Sequence, residues 1–316
     1  MRDTFGRDIT YLRLSVTDKC NCRCRYCMPA EGVRPMAHAD LLSFEELTEV
    51  VRAAASLGVT KVRITGGEPL VRRGIVDLCR MVAAVDGVRE LAMTTNGTLL
   101  APLAAELHDA GVTHLNLSLD TLRADRYRAI TRVGSLEDAL AGLAAAREAG
   151  FSPLKLNCVL MGGVNDDELP ELAGLARTEP IDVRFIELMP MGECALWPRE
   201  RFVSADLVLK AVPELERIGQ GGVAELYSAP GWAGRVGLIR AVSHRFCASC
   251  DRIRVTADGR LKPCLHSAAE IRLRGLHGPE LVRVMAEAIA MKPAHHNLAP
   301  GVRPSETPRD MNQIGG

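Results

Sequence analysis

Apolar residues recur at helical spacing in several stretches of the first two thirds of the chain. One such helix is predicted to begin at Ser43, which can form a capping box with Glu46. The apolar positions that follow share one helix face: Leu47, Val50, Val51, Ala54 and Leu57. A further helix is predicted to begin at Ser135, with an apolar face formed by Leu136, Ala139, Leu140, Leu143 and Ala144.

Short runs of strand-forming residues alternate with these helices. The predicted strands cover residues 11–16, 61–65, 89–94, 114–119, 154–160 and 182–187. Three of the intervening helices are predicted to end at a glycine in the left-handed conformation: Gly58, Gly111 and Gly150. Strands that alternate with helices predict a parallel sheet with right-handed crossovers. An open doubly wound sheet and a partial barrel of six βα units fit this pattern equally well.

The βα pattern stops near residue 200. Ser204 is predicted to begin one short helix, and residues 234–243 and 253–263 are predicted to be extended. We therefore expect two parts, residues 1–200 and residues 201–316. The tail from Pro304 onward is expected to be loosely ordered.

Composition narrows the possible partners. The chain has 316 residues and is 47% hydrophobic, which is enough for a large α/β core. Its 39 Lys and Arg balance 39 Asp and Glu, and aromatic residues make up 4%, so a uniformly basic or base-stacking nucleic-acid binder is excluded. The sequence contains no membrane-length apolar run and no signal-peptide pattern. We expect a soluble, cytoplasmic protein with no membrane or nucleic-acid partner.

Ten cysteines are the unusual feature of this composition. In a reducing cytosol, clustered cysteines indicate metal ligands more often than disulfides. Cys20, Cys24 and Cys27 form a C-x3-C-x2-C pattern, which lets one loop hold three corners of a 4Fe–4S cube and leaves one iron open. The alternative is a zinc knuckle with Cys22 as fourth ligand, although its spacing is cramped. The scattered cysteines are expected to be buried small apolar residues: Cys79, Cys158 and Cys194.

The segment Gly66-Gly67-Glu68-Pro69 follows the second predicted strand. Together with the cysteine loop, it resembles the radical S-adenosylmethionine (SAM) superfamily. That resemblance implies that the amino and carboxylate groups of SAM occupy the open iron. One electron from the cluster then cleaves SAM to a 5′-deoxyadenosyl radical.

A second cysteine group, Cys247, Cys250 and Cys264, has C-x2-C-x13-C spacing. It again supplies three thiolates rather than four. The spacing alone fits two sites equally well: a zinc ribbon completed by a remote ligand such as His266, or a second cluster with an open iron.

The resemblance goes beyond the superfamily and covers nearly the whole chain. The chain resembles the GTP 3′,8-cyclase family, also called molybdenum cofactor biosynthesis protein A. The segments that carry it include Tyr11–Asp18, Arg63–Leu70, Thr94–Gly97, Asn116–Asp120, Arg184–Glu187 and Phe246–Arg254. The resemblance implies a partial (β/α)6 TIM-like barrel with a C-terminal extension that carries a second iron–sulfur cluster. It departs at position 22, where the family usually has a bulky apolar residue and this chain has Cys22.

The resemblance also implies a role for individual residues. The SAM cluster would be held by Cys20, Cys24 and Cys27, and the second cluster, whose open iron meets the purine, by Cys247, Cys250 and Cys264. The SAM contacts would be Tyr26, Gly67, Ser118 and Met189. The GTP contacts would be Arg13, Arg63, Thr94, Lys155, Arg252 and Arg254, with Lys61 and Arg184 close by. The terminal Gly315 and Gly316 would reach into the active-site cavity.

The charge pattern supports this resemblance independently. Basic residues occur within the predicted strands, where alternation can direct them into a barrel lumen: Arg13, Lys61, Arg63, Lys155 and Arg184. A neutral protein that binds a triphosphate needs its positive charge concentrated in this way.

The implied reaction is that of a lyase in molybdenum cofactor biosynthesis. The adenosyl radical abstracts hydrogen from C3′ of GTP, the carbon radical attacks C8 of guanine, and reduction gives 3′,8-cyclo-7,8-dihydro-GTP. The family further implies a flavodoxin- or ferredoxin-type electron donor and is compatible with a homodimer. Two alternatives stay open: a two-cluster radical SAM enzyme acting on a peptide or tetrapyrrole, and a non-catalytic zinc scaffold or electron carrier.

Overall fold

The computed structural model describes residues 1–300 and 302–315. The predicted role of Gly316 therefore lies outside the described residues. Six parallel strands form the centre of the molecule: β1 (Tyr11–Ser15), β2 (Lys61–Thr65), β3 (Glu90–Thr95), β4 (His114–Ser118), β5 (Leu154–Leu160) and β6 (Ile181–Glu187). Between them lie α1 (Phe44–Ser56), α2 (Ile75–Ala83), α3 (Ala104–Asp109), α4 (Ala124–Thr131), α5 (Leu136–Glu148) and α6 (Leu169–Thr178). These strands match the predicted ones to within one residue at each end.

The last third of the chain adds strands to both edges of this sheet. Its elements are α7 (Leu207–Ala211), β7 (Glu216–Gly221), β8 (Ala224–Ser228), β9 (Arg235–Ile239), β10 (Arg252–Val255), β11 (Arg260–Lys262), β12 (Ile271–Arg272), α8 (Gly278–Ala290) and α9 (Met311–Ile314). The sheet has the order β12-β11-β10-β1-β2-β3-β4-β5-β6-β9-β8-β7. Because β9 pairs with β6 and β10 pairs with β1, both in parallel, one sheet includes strands from both sides of residue 200. The domain division at that residue stays a prediction.

The strand order decides between the two predicted architectures. The first six strands lie side by side in chain order, whereas a doubly wound sheet reverses direction partway. With right-handed crossovers, sequential order places every helix on the same face, and the sheet curls around the other face. The chain therefore adopts the expected α/β fold, a partial barrel of six βα units with a C-terminal extension, and the sheet is not closed.

Local signals in the sequence account for the helix ends. Ser43 and Glu46 form the predicted capping box at α1. Gly58 and Gly111 have φ values of 95° and 91°, which are left-handed conformations that favour glycine.

The predicted face of α5 is wrong in part. Leu136 and Ala139 are buried, but Leu140 is 38% exposed, and the buried face continues through Gly142 and Ala146. A Cβ atom at Gly142 would lie 2.1 Å from the carbonyl oxygen of Gly97. The helix therefore packs with its small residues against the loop after β3, which turns Leu140 outward.

The C-terminal tail also differs from the prediction. Asp310 and Gln313 form a capping box at α9, and the side chains of Asn312 and Ile314 are buried. The expected loose order is therefore wrong for this segment. Tertiary contacts fix it: Asn312 Nδ2 donates to the carbonyl of Asp18, at a distance of 2.9 Å, far away in the sequence.

Candidate active site

The first cysteine loop follows β1 at the carboxyl edge of the sheet. Cys20, Cys24 and Cys27 are partly exposed, whereas Cys22 is buried, with 1% of its surface exposed. Nδ2 of Asn96 donates a hydrogen bond to Sγ of Cys22 at 3.5 Å. The loop thus leaves Cys20, Cys24 and Cys27 partly exposed and buries Cys22. Three cysteines are the donor set that a cube with one open corner requires.

Burial and neighbouring groups shift the pKa values of these thiols in different directions. A hydrogen bond with Cys20, together with burial, raises the pKa of Cys22, and the same hydrogen bond lowers the pKa of Cys20. Burial raises the pKa of Cys24 and Cys27. Because thiolates are the ligating form, these two cysteines need a nearby positive charge to ionise, and iron would supply it.

The glycine-rich turn after β2 packs directly against the cysteine loop. A Cβ atom at Gly67 would lie 2.5 Å from the carbonyl oxygen of Lys19 and 2.6 Å from that of Asp18, so any side chain would displace the loop backbone. The next residue, Glu68, is buried and accepts hydrogen bonds from Thr95 Oγ1 at 2.8 Å and from the Asn96 amide at 2.7 Å. Burial raises the pKa of Glu68 to about 7. The turn thereby links the carboxyl ends of β1, β2 and β3.

Asp120, after β4, performs the same function on the other side of the loop. Its Oδ2 accepts from the Tyr26 hydroxyl at 2.8 Å, and its Oδ1 accepts from the Val159 amide at 2.8 Å. Burial raises the pKa of Asp120 to about 6. Asp120 and Asn96 were not predicted as individual site residues, although both follow the ends of strands, which is the signal that could have identified them.

The two other predicted SAM contacts lie at this edge as well. Ser118 ends β4 and is half-buried, and Met189 follows β6, also half-buried. The carbonyl of Met189 accepts from the thiol of Cys194 at 3.1 Å.

The second cysteine group is assembled by a hairpin. Cys247 and Cys250 lie directly before β10, Cys264 lies after β11, and these two strands are antiparallel neighbours. All three thiols are partly exposed, whereas Cys79, Cys158 and Cys194 are buried as predicted. Within residues 1–300 and 302–315, no three His, Cys, Asp or Glu side chains converge to chelate a single metal ion. Three thiolates in each trio are the donor set of an iron–sulfur cube that leaves one iron open.

Strand register gathers the candidate GTP-binding cations on one face of the sheet. Arg13 lies opposite Arg63 on β2 and opposite Arg254 on β10. On the next strands of the sheet, Thr94 of β3 lies opposite Asn116 of β4, which in turn lies opposite Lys155 of β5. The alternate residues of these strands belong to the hydrophobic core, so strand alternation directs the cations toward the lumen.

Tyr11 lies at the centre of this cation cluster and was not predicted as a site residue. Its hydroxyl accepts a hydrogen bond from Arg63 Nε. Lys61 Nζ lies 5.0 Å from the centroid of its ring and the Arg252 guanidinium 5.3 Å, both within cation–π range. Arg63 Nη1 also donates to the Met93 carbonyl at 2.9 Å and to Thr94 Oγ1 at 3.4 Å.

The pKa values report an excess of positive charge in the lumen. Burial, together with the charge of Arg184, lowers the pKa of Lys155 to about 8. Burial and the charge of Arg252 lower the pKa of Arg254 to about 10. Burial alone would raise the pKa of Tyr11, but the surrounding cations, Arg63 foremost, outweigh it and lower that pKa to about 7.

The tail enters the same face of the sheet. The carbonyl oxygen of Gly315 accepts hydrogen bonds from Arg254 Nη1 and, at 3.4 Å, from Arg13 Nη2. A Cβ atom at Gly315, whose φ is 72°, would lie 2.1 Å from Thr65 Oγ1. Glycine is therefore required at this position for the backbone to approach the strand ends.

Comparison with known proteins agrees with this geometry. Residues 14–176 match the Radical SAM superfamily, and residues 181–298 match the family described as Molybdenum Cofactor Synthesis C. The structure resembles Streptococcus suis SuiB, with a TM-score of 0.58 at 14% identity, over 87% of this chain and 67% of that one. It also resembles methylornithine synthase (PylB), with a TM-score of 0.52 at 18% identity, over 66% of this chain and 63% of that one. At these identities the likeness shows the fold alone. None of the described helices is long and apolar enough to span a bilayer.

Full-length relatives identify the family. The chain is 46% identical to the GTP 3′,8-cyclase of Alkaliphilus oremlandii, with 100% of both chains covered. It is 49% identical to that of Peptoclostridium acidaminophilum, over 99% of this chain and 98% of the relative. It is 46% identical to that of Geobacter sulfurreducens, over 99% of each. With its two partly exposed cysteine trios and its lumen of arginines and lysines, the chain belongs to the GTP 3′,8-cyclase family of radical SAM enzymes.

Proposed function

We propose that this chain converts GTP to 3′,8-cyclo-7,8-dihydro-GTP, the first step of molybdenum cofactor biosynthesis, with SAM and two 4Fe–4S clusters. The observation that carries the proposal is the cation cluster. Arg63, Lys155 and Arg254 face the lumen, and none of them has a carboxylate ion pair among the described residues. The lowered pKa values of Lys155 and Arg254 reflect burial and neighbouring positive charge. A polyanion stabilises such clustered cations, and the triphosphate of GTP supplies that charge.

The first trio, Cys20, Cys24 and Cys27, would hold the cluster that binds SAM. When bound, this cluster and SAM supply one-electron chemistry and hydrogen-atom abstraction. The residues of the chain keep the loop in place: Glu68 joins it to β2 and β3, and Asp120 holds Tyr26. Gly67, Ser118 and Met189 line the same edge and would contact SAM.

The second trio, Cys247, Cys250 and Cys264, would hold the cluster that meets the purine. Arg252 and Arg254 lie on β10, which follows Cys250 and precedes Cys264, and their half-buried side chains share one face of the strand. They would bind GTP between the trio and the other predicted GTP contacts, which are the cations Arg13, Arg63 and Lys155 and the hydroxyl of Thr94. Two anchored ends fix the sugar between them, and fixed geometry is what radical chemistry on a single C–H bond needs.

The tail would complete the cavity. Gly315 already contacts Arg13 and Arg254, two of the residues assigned to GTP. We propose that the terminal glycines place the substrate or SAM for hydrogen abstraction and exclude water from the lumen.

The setting proposed for this reaction is the cytoplasm, with reduced flavodoxin or ferredoxin as electron donor and a homodimer as the assembly. The alternative expectation, a two-cluster enzyme acting on a peptide or tetrapyrrole, does not explain why Arg63, Lys155 and Arg254 lack carboxylate ion pairs among the described residues. It also has no support among the full-length relatives.

The assignment of the trios is tested by cysteine variants reconstituted without oxygen. Wild-type protein is expected to contain roughly eight iron atoms per chain. Cys24→Ala should lose SAM cleavage but keep the second cluster, and Cys250→Ser should keep the first cluster but lose cyclised product. Cys22→Ala is the matched control, because this buried thiol faces inward and should leave both clusters intact. Colourless wild-type protein with bound zinc, or full 5′-deoxyadenosine production by Cys24→Ala, would refute the proposal.

A further inference from the structure

Residues 1–10 form an N-terminal arm that precedes β1 and runs beside the second cysteine trio, because β1 and β10 are neighbouring parallel strands. Arg7 lies on this arm and is buried, with 7% of its surface exposed. Its Nε forms an ion pair with Asp3 Oδ2 at 2.6 Å, and Asp3 is equally buried. The carboxylate thus orients the guanidinium and leaves its two Nη groups free to bond elsewhere.

Those Nη groups donate only to backbone carbonyls beside the trio. Nη1 donates to the carbonyl of Cys247 at 2.9 Å and to that of Ala294 at 3.1 Å. Nη2 donates to the carbonyl of Pro293 at 2.8 Å. One side chain therefore joins the first cysteine of the trio to the segment that follows α8.

Lys292 belongs to that segment and contacts the backbone close to the other two cysteines of the trio. It is 3% exposed, and its Nζ donates to the carbonyl of Arg252 at 2.7 Å and to that of Pro263 at 2.8 Å. Arg252 comes two residues after Cys250, and Pro263 comes directly before Cys264. Among the ion pairs of the described residues, Lys292 has no carboxylate partner.

We propose that Arg7 and Lys292 are positioning residues that hold the second cysteine trio at the spacing its cluster requires, and that the charge of Lys292 makes this cluster easier to reduce. The inference rests on the proposed assignment of Cys247, Cys250 and Cys264 as ligands. A cluster held by thiolates carries negative charge, and reduction adds one more. A buried cation stabilises that added charge strongly, because little solvent screens it.

The two residues are expected to differ in their effects. Asp3 neutralises Arg7, so this arginine acts mainly through its hydrogen bonds. Lys292 acts through its hydrogen bonds and through its charge. Loss of a group that orients metal ligands typically weakens metal binding by about 10- to 100-fold.

The experiment uses full-length protein in which Cys20, Cys24 and Cys27 are changed to Ala, so that only the second cluster is present. Arg7→Met and Lys292→Met should each lose iron to a chelator roughly 10- to 100-fold faster than this background. The reduction potential, measured by titration with electron paramagnetic resonance detection, should become more negative in Lys292→Met and stay nearly constant in Arg7→Lys.

Arg2→Met and Arg283→Met are the matched controls, because these exposed arginines lie on the same arm and on α8 and should change neither quantity. Arg7→Met and Lys292→Met are also made in otherwise wild-type protein, to distinguish positioning from folding. If they act only on the second trio, the first cluster should be retained. Where Lys292→Met lowers the yield of folded protein, Arg7→Lys tests positioning, because it keeps the charge but loses the fork.

Equal iron loss from the two clusters, or unchanged chelator rates in Arg7→Met and Lys292→Met, would overturn the inference. An unchanged reduction potential of the second cluster in Lys292→Met would overturn the electrostatic part of the inference. The underlying assignment fails separately: a variant with Cys247, Cys250 and Cys264 changed to Ala would then still contain both clusters.

Discussion

Arg309 links the C-terminal tail to the extension, and its removal should release the tail from the barrel. Its guanidinium forms two hydrogen bonds with Asp258, at 3.1 and 2.8 Å, and two with Glu270, both at 2.8 Å. Asp258 lies in the turn between β10 and β11, and Glu270 directly precedes β12. Arg309 immediately precedes the capping residue of α9, so these contacts hold the start of the segment that ends at Gly315.

The magnitude follows from the charges and their burial. Breaking a fully buried ion pair by removal of one partner costs about 3–5 kcal/mol. Here the side chains of Arg309, Asp258 and Glu270 are 15% to 22% exposed, so water partly solvates the two carboxylates that remain after the substitution. We therefore expect Arg309→Met to destabilise the docked tail by about 2–3 kcal/mol. Because each 1.4 kcal/mol is a factor of ten, the population of released tail should rise roughly 30- to 150-fold.

Hydrogen exchange followed by mass spectrometry measures this change directly. Exchange in a peptide covering residues 310–315 should accelerate by about that factor, while exchange in β1 to β6 stays constant. Cyclised product should fall, because Gly315 no longer reaches Arg13 and Arg254, and iron content should be unchanged. Arg260→Met is the matched control, since Arg260 approaches the same Asp258 at only 3.9 Å and is more exposed.

Unchanged tail exchange in Arg309→Met would refute the role of this residue as the anchor of the tail. Faster exchange with undiminished product would refute the catalytic role of the docked tail instead. An equal effect of Arg260→Met would mean that general charge balance around Asp258, rather than the fourfold contact, holds the segment.

Three further predictions concern the lumen. Lys155 has a pKa of about 8, so it loses its charge as pH rises through that value; GTP affinity measured by calorimetry should fall over the same range, and Lys155→Gln should abolish that step. Tyr11→Phe removes the acceptor of Arg63 Nε and should weaken GTP binding about 5- to 30-fold without changing iron content; equal affinities would dismiss Tyr11 as an organising residue. Deleting residues 315–316 should sharply reduce cyclised product while iron content, thermal midpoint and GTP affinity stay near wild type, and full-rate cyclisation would contradict it.

Most elements of the barrel can be predicted from the sequence because the signals that specify them are local. A strand such as β2 needs only its own alternation and the turn that follows, and α1 needs only the pair Ser43 and Glu46 three residues apart. The spacing of Cys20, Cys24 and Cys27 is likewise a property of one loop. These patterns determined the six strands, the parallel sheet and the two thiol trios.

Tertiary structure alone decided which side chains meet. From the spacing alone, Cys22 was an alternative ligand. Only the folded loop shows that its side chain is buried and contacts Asn96. Arg7 meets Cys247 across 240 residues of chain, and α9 docks on the loop after β1, so no local pattern could indicate either contact. The sequence by itself determined the elements and the chemistry they carry, because propensity and spacing act within a few residues. The folded sheet determined the site, because register and burial depend on residues that are neighbours only in space.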